Sequence, residues 1–563
     1  MGCGSNLQNT TEDMVNIVKH PIKLKQEVIA IIGCTHAGTT AAVILRNLNK
    51  NVRILVFEKT STVSFLSCGI HLAINKTCDD LNRLFYNTPN RMKQMGIEIH
   101  ECTSVEGVDF NTKQINTIDL NTNEKQSFQY HKMIISTGSN PQIPPVIDGI
   151  DYQNDPANQL RTNFKRILLC KTYQDAQRLV KLQDPKKVCI IGSGHIGMEL
   201  AWSFNVIGSK VTIVDHQKHI LQKYFDYEYV NILEKECKIL GIDLCPHSKV
   251  VKLKENESSV AVCIERNVDE IIKVLNAEFD YVIVCTGFVP NTKNLIGQSQ
   301  NKLTNLNNVI VVDNQQRTSI ENVFAIGDCA TCYNRLLKKQ AHIPLASQAV
   351  KQGIVAANQA LGRNLTASGS NQTYGIQLFD YSLASTGLTT MDAKKQCRHV
   401  GKVIQSDYLW SAYCQKKVAK VVQKLQELGK QFSDREEIVQ KMCDKVVDSF
   451  EFDSEQTEDE LVSVIIIFDE DTNVILGCQV MGKQDITQIV NTASIAIQMG
   501  MTIDQLAYQD LGGFDGETKP WGVLQTAAAS AIIPLPDFDD TFEDSEMNIG
   551  KQQSVQVNDV SDW

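Results

Sequence analysis

Three groups of residues in this sequence have types and spacing suited to chemistry: one cysteine, two glycine-rich loops, and two acids set behind those loops. Cys68 lies in Ser64-Phe65-Leu66-Ser67-Cys68-Gly69-Ile70. A thiol reacts as its thiolate, and a helix N-terminus lowers the pKa that controls this. A helix beginning near Ser67 would present Cys68 in that way. Ala73 stands five positions on, and the next cysteine is Cys78, so no partner is spaced for an internal disulfide. The expected chemistry is cycling between thiolate and sulfenic acid, or a mixed disulfide. The competing reading is a buried structural cysteine.

The first loop is Gly33-Cys34-Thr35-His36-Ala37-Gly38. Gly33 allows a tight turn, Gly38 allows a helix to pack close to a strand, and the helix N-terminus receives a pyrophosphate. Thr35 replaces the middle glycine of the usual fingerprint. Glu58, 20 residues after Gly38, stands where a carboxylate binds an adenosine ribose. The second loop is complete: Gly192-Ser193-Gly194-His195-Ile196-Gly197, followed by Glu199, with Asp215 placed 18 residues after Gly197. A carboxylate at Asp215 accepts from ribose hydroxyls and repels a 2′-phosphate, which favours NADH over NADPH; His216 and Lys218 pull the other way. Thr137-Gly138-Ser139, Thr286-Gly287-Phe288 and Gly327-Asp328 each follow an apolar run as a glycine turn.

These loops need elements to hold them. Val28-Ile29-Ala30-Ile31-Ile32 reads as a strand buried on both faces, Thr39 to Leu48 as a helix, and Val52 to Phe57 as a second strand. The same order recurs with Val188 to Ile191, Met198 to Val206 and Val211 to Val214. Two dinucleotide-binding units about 160 residues apart carry far more weight than a lone glycine motif. From about residue 371 the composition changes. Ser463 to Phe468 and Val474 to Gly477 read as strands of a separate α+β domain. Within it Val418, Val421, Val422, Leu425 and Leu428 share a helical face, and Ser433 with Glu436 forms a capping box for a second helix.

A net charge of -10 argues against nucleic acid as a partner. There is no apolar run long enough to span a membrane and no secretory signal. The odd count of seventeen scattered cysteines indicates reduced thiols in the cytoplasm. Cys329 and Cys332 are spaced C-x-x-C, but no second pair follows, so no metal is expected. Met1-Gly2-Cys3 invites acylation of Gly2 and Cys3 and attachment to a membrane surface; the competing reading is a plain polar tail. Residues 537 to 563 hold eight acids and one lysine, the composition of a disordered acidic tail.

Taken together, these segments resemble the flavoprotein pyridine nucleotide-disulfide oxidoreductase superfamily, in its single-cysteine branch of NADH oxidases, NADH peroxidases and coenzyme A-disulfide reductases. The resemblance covers about residues 27 to 400 and 460 to 530. It includes Ile343-Pro344-Leu345-Ala346-Ser347, Phe379-Asp380-Tyr381 and Asp485-Ile486-Thr487-Gln488, and lies nearest the oxidases in Ser64 to Gly69 and Gly33 to Gly38. It implies an α/β fold: two Rossmann-like three-layer domains, for FAD and NAD, and a C-terminal α+β dimerisation domain. The implied boundaries are 26–150 with 305–365 for FAD, 151–304 for NAD(P)H and 370–535 for dimerisation. A polar tail (1–25) and an acidic tail (536–563) flank these, and a helical insertion occupies about 410–455.

The implied cofactors are FAD and NADH. Gly33, Gly38, Glu58, Ser67, Thr137, Gly138, Gly327, Asp328, Leu345 and Ala346 would contact the first, and Gly192, Gly194, Gly197, Glu199, Asp215 and Gly287 the second. Cys68 would be catalytic, with His36 beside it. The implied reaction passes electrons from NADH to dioxygen, giving water, in a homodimer. Reduction of coenzyme A disulfide or another small disulfide, reduction of peroxide, and a membrane-tethered redox sensor without turnover are the competing expectations. Three departures touch substrate choice: His195 stands where the family has an aromatic gate, Leu511-Gly512-Gly513-Phe514-Asp515 replaces bulky aromatics, and the insertion has no counterpart.

Overall fold

The computed structural model describes residues 26–182, 185–268, 271–296, 303–397, 399–408, 461–511 and 522–532. Gly2, Cys3, the 410–455 insertion, Gly512 to Asp515 and the acidic tail lie outside the described residues.

The first unit is built on β1 (Val28–Ile32), α1 (His36–Leu48), β2 (Arg53–Phe57), a short helix α2 (Ile70–Ile74), β3 (Glu98–His100) and β4 (Lys132–Ile135). β1 pairs in parallel with β2, Ile31 opposite Val56, and with β4, Ile31 opposite Ile134. Alternation along β1 explains why the strand is apolar throughout. Ile29 and Ile31 pack under α1 on Ala41 and Leu45, whereas Ala30 and Ile32 face Val108 and Ile115 of an antiparallel meander. Helix, sheet and meander are therefore three layers, and each buried aliphatic in them contributes about 1.5–3 kcal/mol.

The second unit repeats the plan: β5 (Ile167–Leu169), α3 (Tyr173–Val180), β6 (Lys187–Ile191), α4 (His195–Val206), β7 (Lys210–Val214), α5 (Tyr227–Ile239), β8 (Asp243–Cys245) and β9 (Tyr281–Val284). Its sheet has the order β8-β7-β6-β9-β5, all parallel. Val188 and Ile190 pack toward Met198 and Leu200, while Cys189 and Ile191 face Val250, Leu253 and Val262 of a second meander.

The chain then returns to the first sheet with β10 (Val323–Ala325), beside β4, and α6 (Ala346–Ala360) lies on α1. Last comes an antiparallel sheet of β11 (Tyr374–Leu378), β12 (Tyr381–Gly387), β13 (Val400–Tyr408), β14 (Leu461–Asp469) and β15 (Ile475–Gly482), ordered β11-β12-β15-β14-β13. Its β14 packs Val462, Val464 and Ile466 against α7 (Val523–Ser530), and turns Ile465 and Ile467 to the core of the second unit. The expected strand Ser463–Phe468 extends at both ends, and the one expected at Val474–Gly477 starts one residue later, at Ile475, and runs on to Gly482, because ladder pairing continues past the most apolar residues.

Candidate active site

Both glycine loops are closed by the same devices. Gly33 has φ +92° and Gly192 has φ +107°, and a Cβ on either would lie 2.2 or 2.4 Å from the backbone oxygen of Ser136 or Cys285. At Gly38 and Gly197 a Cβ would lie 2.0 and 1.9 Å from the oxygens of Gly33 and Gly192, so helix and loop must spread to admit a methyl. The acid ending the second strand then ties the loop. Glu58 Oε2 accepts from the Cys34 amide at 2.8 Å, and its Oε1 accepts from the Thr60 amide and hydroxyl at 3.0 and 2.9 Å. Asp215 Oδ2 accepts from the Ser193 amide and hydroxyl at 2.6 and 2.7 Å. Burial raises the Glu58 carboxyl and pushes the Cys34 thiol up to about 12. The first turns of α1 and α4 carry no side-chain cap and no acid, leaving their amides for an anion.

Cys68 lies in a 3₁₀ turn, Ser67–Gly69, that leads into α2; the residue reaches the surface at the cleft where the two units meet, while the protein groups crowded around its thiol desolvate it. Gly69 is pressed under Leu84: a Cβ there would lie 2.5 Å from Leu84 Cδ2. Beside the thiol stands a charged cluster. Lys171 Nζ pairs with Asp328 Oδ2 at 3.1 Å and sits 4.2 Å above the Phe288 ring, and Ser139 Oγ donates to the same Asp328 oxygen at 2.7 Å. His36 begins α1; its Nδ1 is 2.9 Å from the Tyr86 hydroxyl, with the two rings stacked. Burial and then Lys171 lower the His36 pKa. His36 and Cys68 share Lys171 and Asp328 as electrostatic neighbours.

The expected lowering of the Cys68 pKa is not what this geometry gives. Burial and the Glu199 carboxylate raise it, with Lys171 opposing them. A 3₁₀ turn of three residues offers little of the dipole that a long helix supplies. Burial alone pushes Glu199, on α4, up to about 7.

The other expected residues fall around this cleft. Thr137 and Gly138 follow β4, and Gly287 follows β9 with its oxygen accepting from the Gln142 amide at 2.8 Å. The Gly327 amide donates to Gln352 Oε1 at 2.7 Å, Leu345 caps α6 and Ala346 opens it. Where a Cβ would stand on Gly138 or Gly194 there is open space. His195 packs against Tyr224 at 4.0 Å between ring centroids and against Tyr374 of β11 at 5.6 Å, and burial pushes its pKa down to about 4. Cys329 and Cys332 are buried free thiols, and no metal-binding group appears among the described residues. Sequence reasoning missed Lys171, Tyr86 and His71. For Lys171 a signal existed: it sits between the apolar run Ile167–Leu169 and the capping box of Thr172 with Asp175.

Residues 27–353, more than half of the chain, match the model of the pyridine nucleotide-disulphide oxidoreductases, and residues 435–512 match their dimerisation domain. The chain belongs to the pyridine nucleotide-disulphide oxidoreductase family. The NADH oxidase of Enterococcus faecalis is 30% identical over 510 residues, covering 90% of this chain and 99% of that one. Among solved structures, the water-forming NADH oxidase of Lactobacillus brevis bound to NADH is 27% identical with a TM-score of 0.74, covering 90% and 98%. An NAD-dependent persulfide reductase from A. fulgidus, 21% identical with a TM-score of 0.73 and covering 90% and 83%, shares the fold.

Pyridine nucleotide-disulphide oxidoreductases bind FAD. The residues present fit a dinucleotide in the first unit: a glycine turn no side chain could enter, uncapped amides at the start of α1, and a buried acid behind the turn. The second unit fits another by the same features at Gly192, α4 and Asp215. Among the described residues no helix is long and apolar enough to cross a membrane.

Proposed function

We propose that the chain is an FAD-dependent NADH oxidase that reduces dioxygen to water, with Cys68 as its second redox centre. When bound, FAD supplies acceptance of two electrons from NADH and their passage to dioxygen. Residues 26–150 with 305–365 would hold it, 151–304 would hold NADH, and 370–535 would pair two copies in a homodimer.

The observation that carries this reading is the cysteine that reaches the surface where two glycine-loop units meet, beside Lys171, Asp328 and Glu199. Gly33, Gly38, Glu58, Ser67, Thr137, Gly138, Gly327, Asp328, Leu345 and Ala346 orient the first nucleotide. Gly192, Gly194, Gly197, Glu199, Asp215 and Gly287 orient the second. Lys171 favours the thiolate of Cys68 against the burial that opposes it. That thiolate attacks hydrogen peroxide: an S–O bond forms, the O–O bond breaks, and with one proton the products are Cys68 sulfenic acid and water. Two further electrons from NADH return the sulfenic acid to thiolate and release a second water. His36, tied to Tyr86, steadies the oxidised sulfur.

An oxygen electrode with NADH as the only donor tests this. The parent protein should consume two NADH per dioxygen without free peroxide. Cys68→Ser should consume one NADH per dioxygen and accumulate hydrogen peroxide. Oxygen uptake that is negligible, while NADH is consumed rapidly once coenzyme A disulfide is added, would move the assignment to a disulfide reductase.

A further inference from the structure

Oxidation of Cys68 by peroxide, as read above, releases a hydroxide that must take up a proton. His71 stands three residues after Cys68, on α2. Its Nδ1 lies 3.6 Å from Glu199 Oε2 on α4, the helix of the second glycine loop, and the two side chains are only 14% and 18% exposed. Two more contacts fix the pair beside the thiol. The His71 ring hydrogen-bonds the Cys68 backbone, and the His71 carbonyl accepts from Ser203 Oγ of α4 at 3.0 Å. The ionisable groups around this point are Cys68, Glu199, Cys170, Lys171 and Asp328. Lys171 is engaged with Asp328, and His36 with Tyr86. Burial raises Glu199 to about 7 and lowers His71, so near neutral pH a proton on this pair sits on Glu199 in preference to His71.

We propose that Glu199 and His71 hold the proton that the departing hydroxide takes up when Cys68 is oxidised, Glu199 donating it and His71 positioning and recharging Glu199. The balance is complete: thiolate, hydrogen peroxide and this proton give sulfenic acid and water, sulfur losing the two electrons that the O–O bond gains. The pair is reloaded from solvent before the next turnover. This inference rests on the sulfenic-acid reading of Cys68, and it adds a role that the two nucleotide sites do not require.

The test compares two reactions of Cys68 in the full-length flavin-loaded protein, each followed by mass spectrometry of the Cys68 peptide. Hydrogen peroxide leaves hydroxide, which needs a proton; iodoacetamide leaves iodide, which does not. His71→Gln should slow the peroxide reaction about tenfold to a hundredfold, and leave alkylation within about twofold. The wild-type ratio of the two rates should fall as pH rises through neutrality, and this fall should vanish in Glu199→Gln, which has no carboxyl to titrate. Glu199→Gln should show the same selective loss, and serves as a second route should the first variant fail to fold. Equal slowing of both reactions, or of neither, overturns the proposal. Because peroxide is added directly, a wild-type protein that shows no NADH-driven oxygen uptake refutes the oxidase reading without touching this result.

Discussion

Glu199→Gln should stabilise the protein, by an amount that grows as pH rises from about 4.5 to about 7 and then levels off. In the fold the Glu199 carboxyl is pushed from 4.5 up to about 7 by burial. Each pKa unit is worth about 1.36 kcal/mol, so the difference amounts to about 3 kcal/mol between folded and unfolded chains. The sign follows from the direction. A carboxyl whose folded pKa is raised contributes stability that is fully present below about pH 4.5 and is lost as pH rises through about 7. Above that, the wild type keeps a charge in a pocket where its side chain is 18% exposed. Glutamine fills the same volume uncharged. The variant should therefore match the wild type near about pH 4.5 and exceed it by up to about 3 kcal/mol near about pH 8. Burial lowers His71, so it is largely neutral where Glu199 ionises and does not offset that charge. Urea unfolding at the two pH values, followed by the fluorescence of Trp202 on the same helix, measures the midpoints. A gain of equal size at both pH values, or a loss at pH 8, would refute the assignment of a buried, raised Glu199.

Two further outcomes follow from the packing. Gly33→Ala places a methyl 2.2 Å from the Ser136 carbonyl at a φ of +92°, so the purified variant should lose its visible flavin absorbance while keeping its far-ultraviolet dichroism. Asp226→Ala removes a buried carboxylate that pairs with Lys402 at 3.1 Å and accepts from the Thr390 amide at 3.0 Å; this should cost about 3–5 kcal/mol. Thermal unfolding should show a lower midpoint with the flavin absorbance unchanged, because these contacts join the second unit to the C-terminal sheet and not to the cleft.

Much of this protein can be read from local sequence. Val28–Ile32 and Lys187–Ile191 are strands because continuous aliphatic runs suit a sheet covered on both faces, and the glycines after them are fixed by backbone sterics that act within a few residues. The acids Glu58 and Asp215 were legible for the same reason, since a βαβ unit has nearly constant length. What the sequence left unread depends on residues far apart in the chain. Lys171 meets Asp328 across 157 positions, Ser139 meets it across 189, and His71 meets Glu199 only because α2 packs on α4. Local sequence alone points the Cys68 pKa in the wrong direction. A helix N-terminus was the visible influence, whereas burial and a distant carboxylate outweigh a turn of three residues. Periodicity and turn chemistry act along the chain and so are written in it. Burial and charge pairing act through space, and only the assembled units decide which groups share a cleft and which form of each is favoured there.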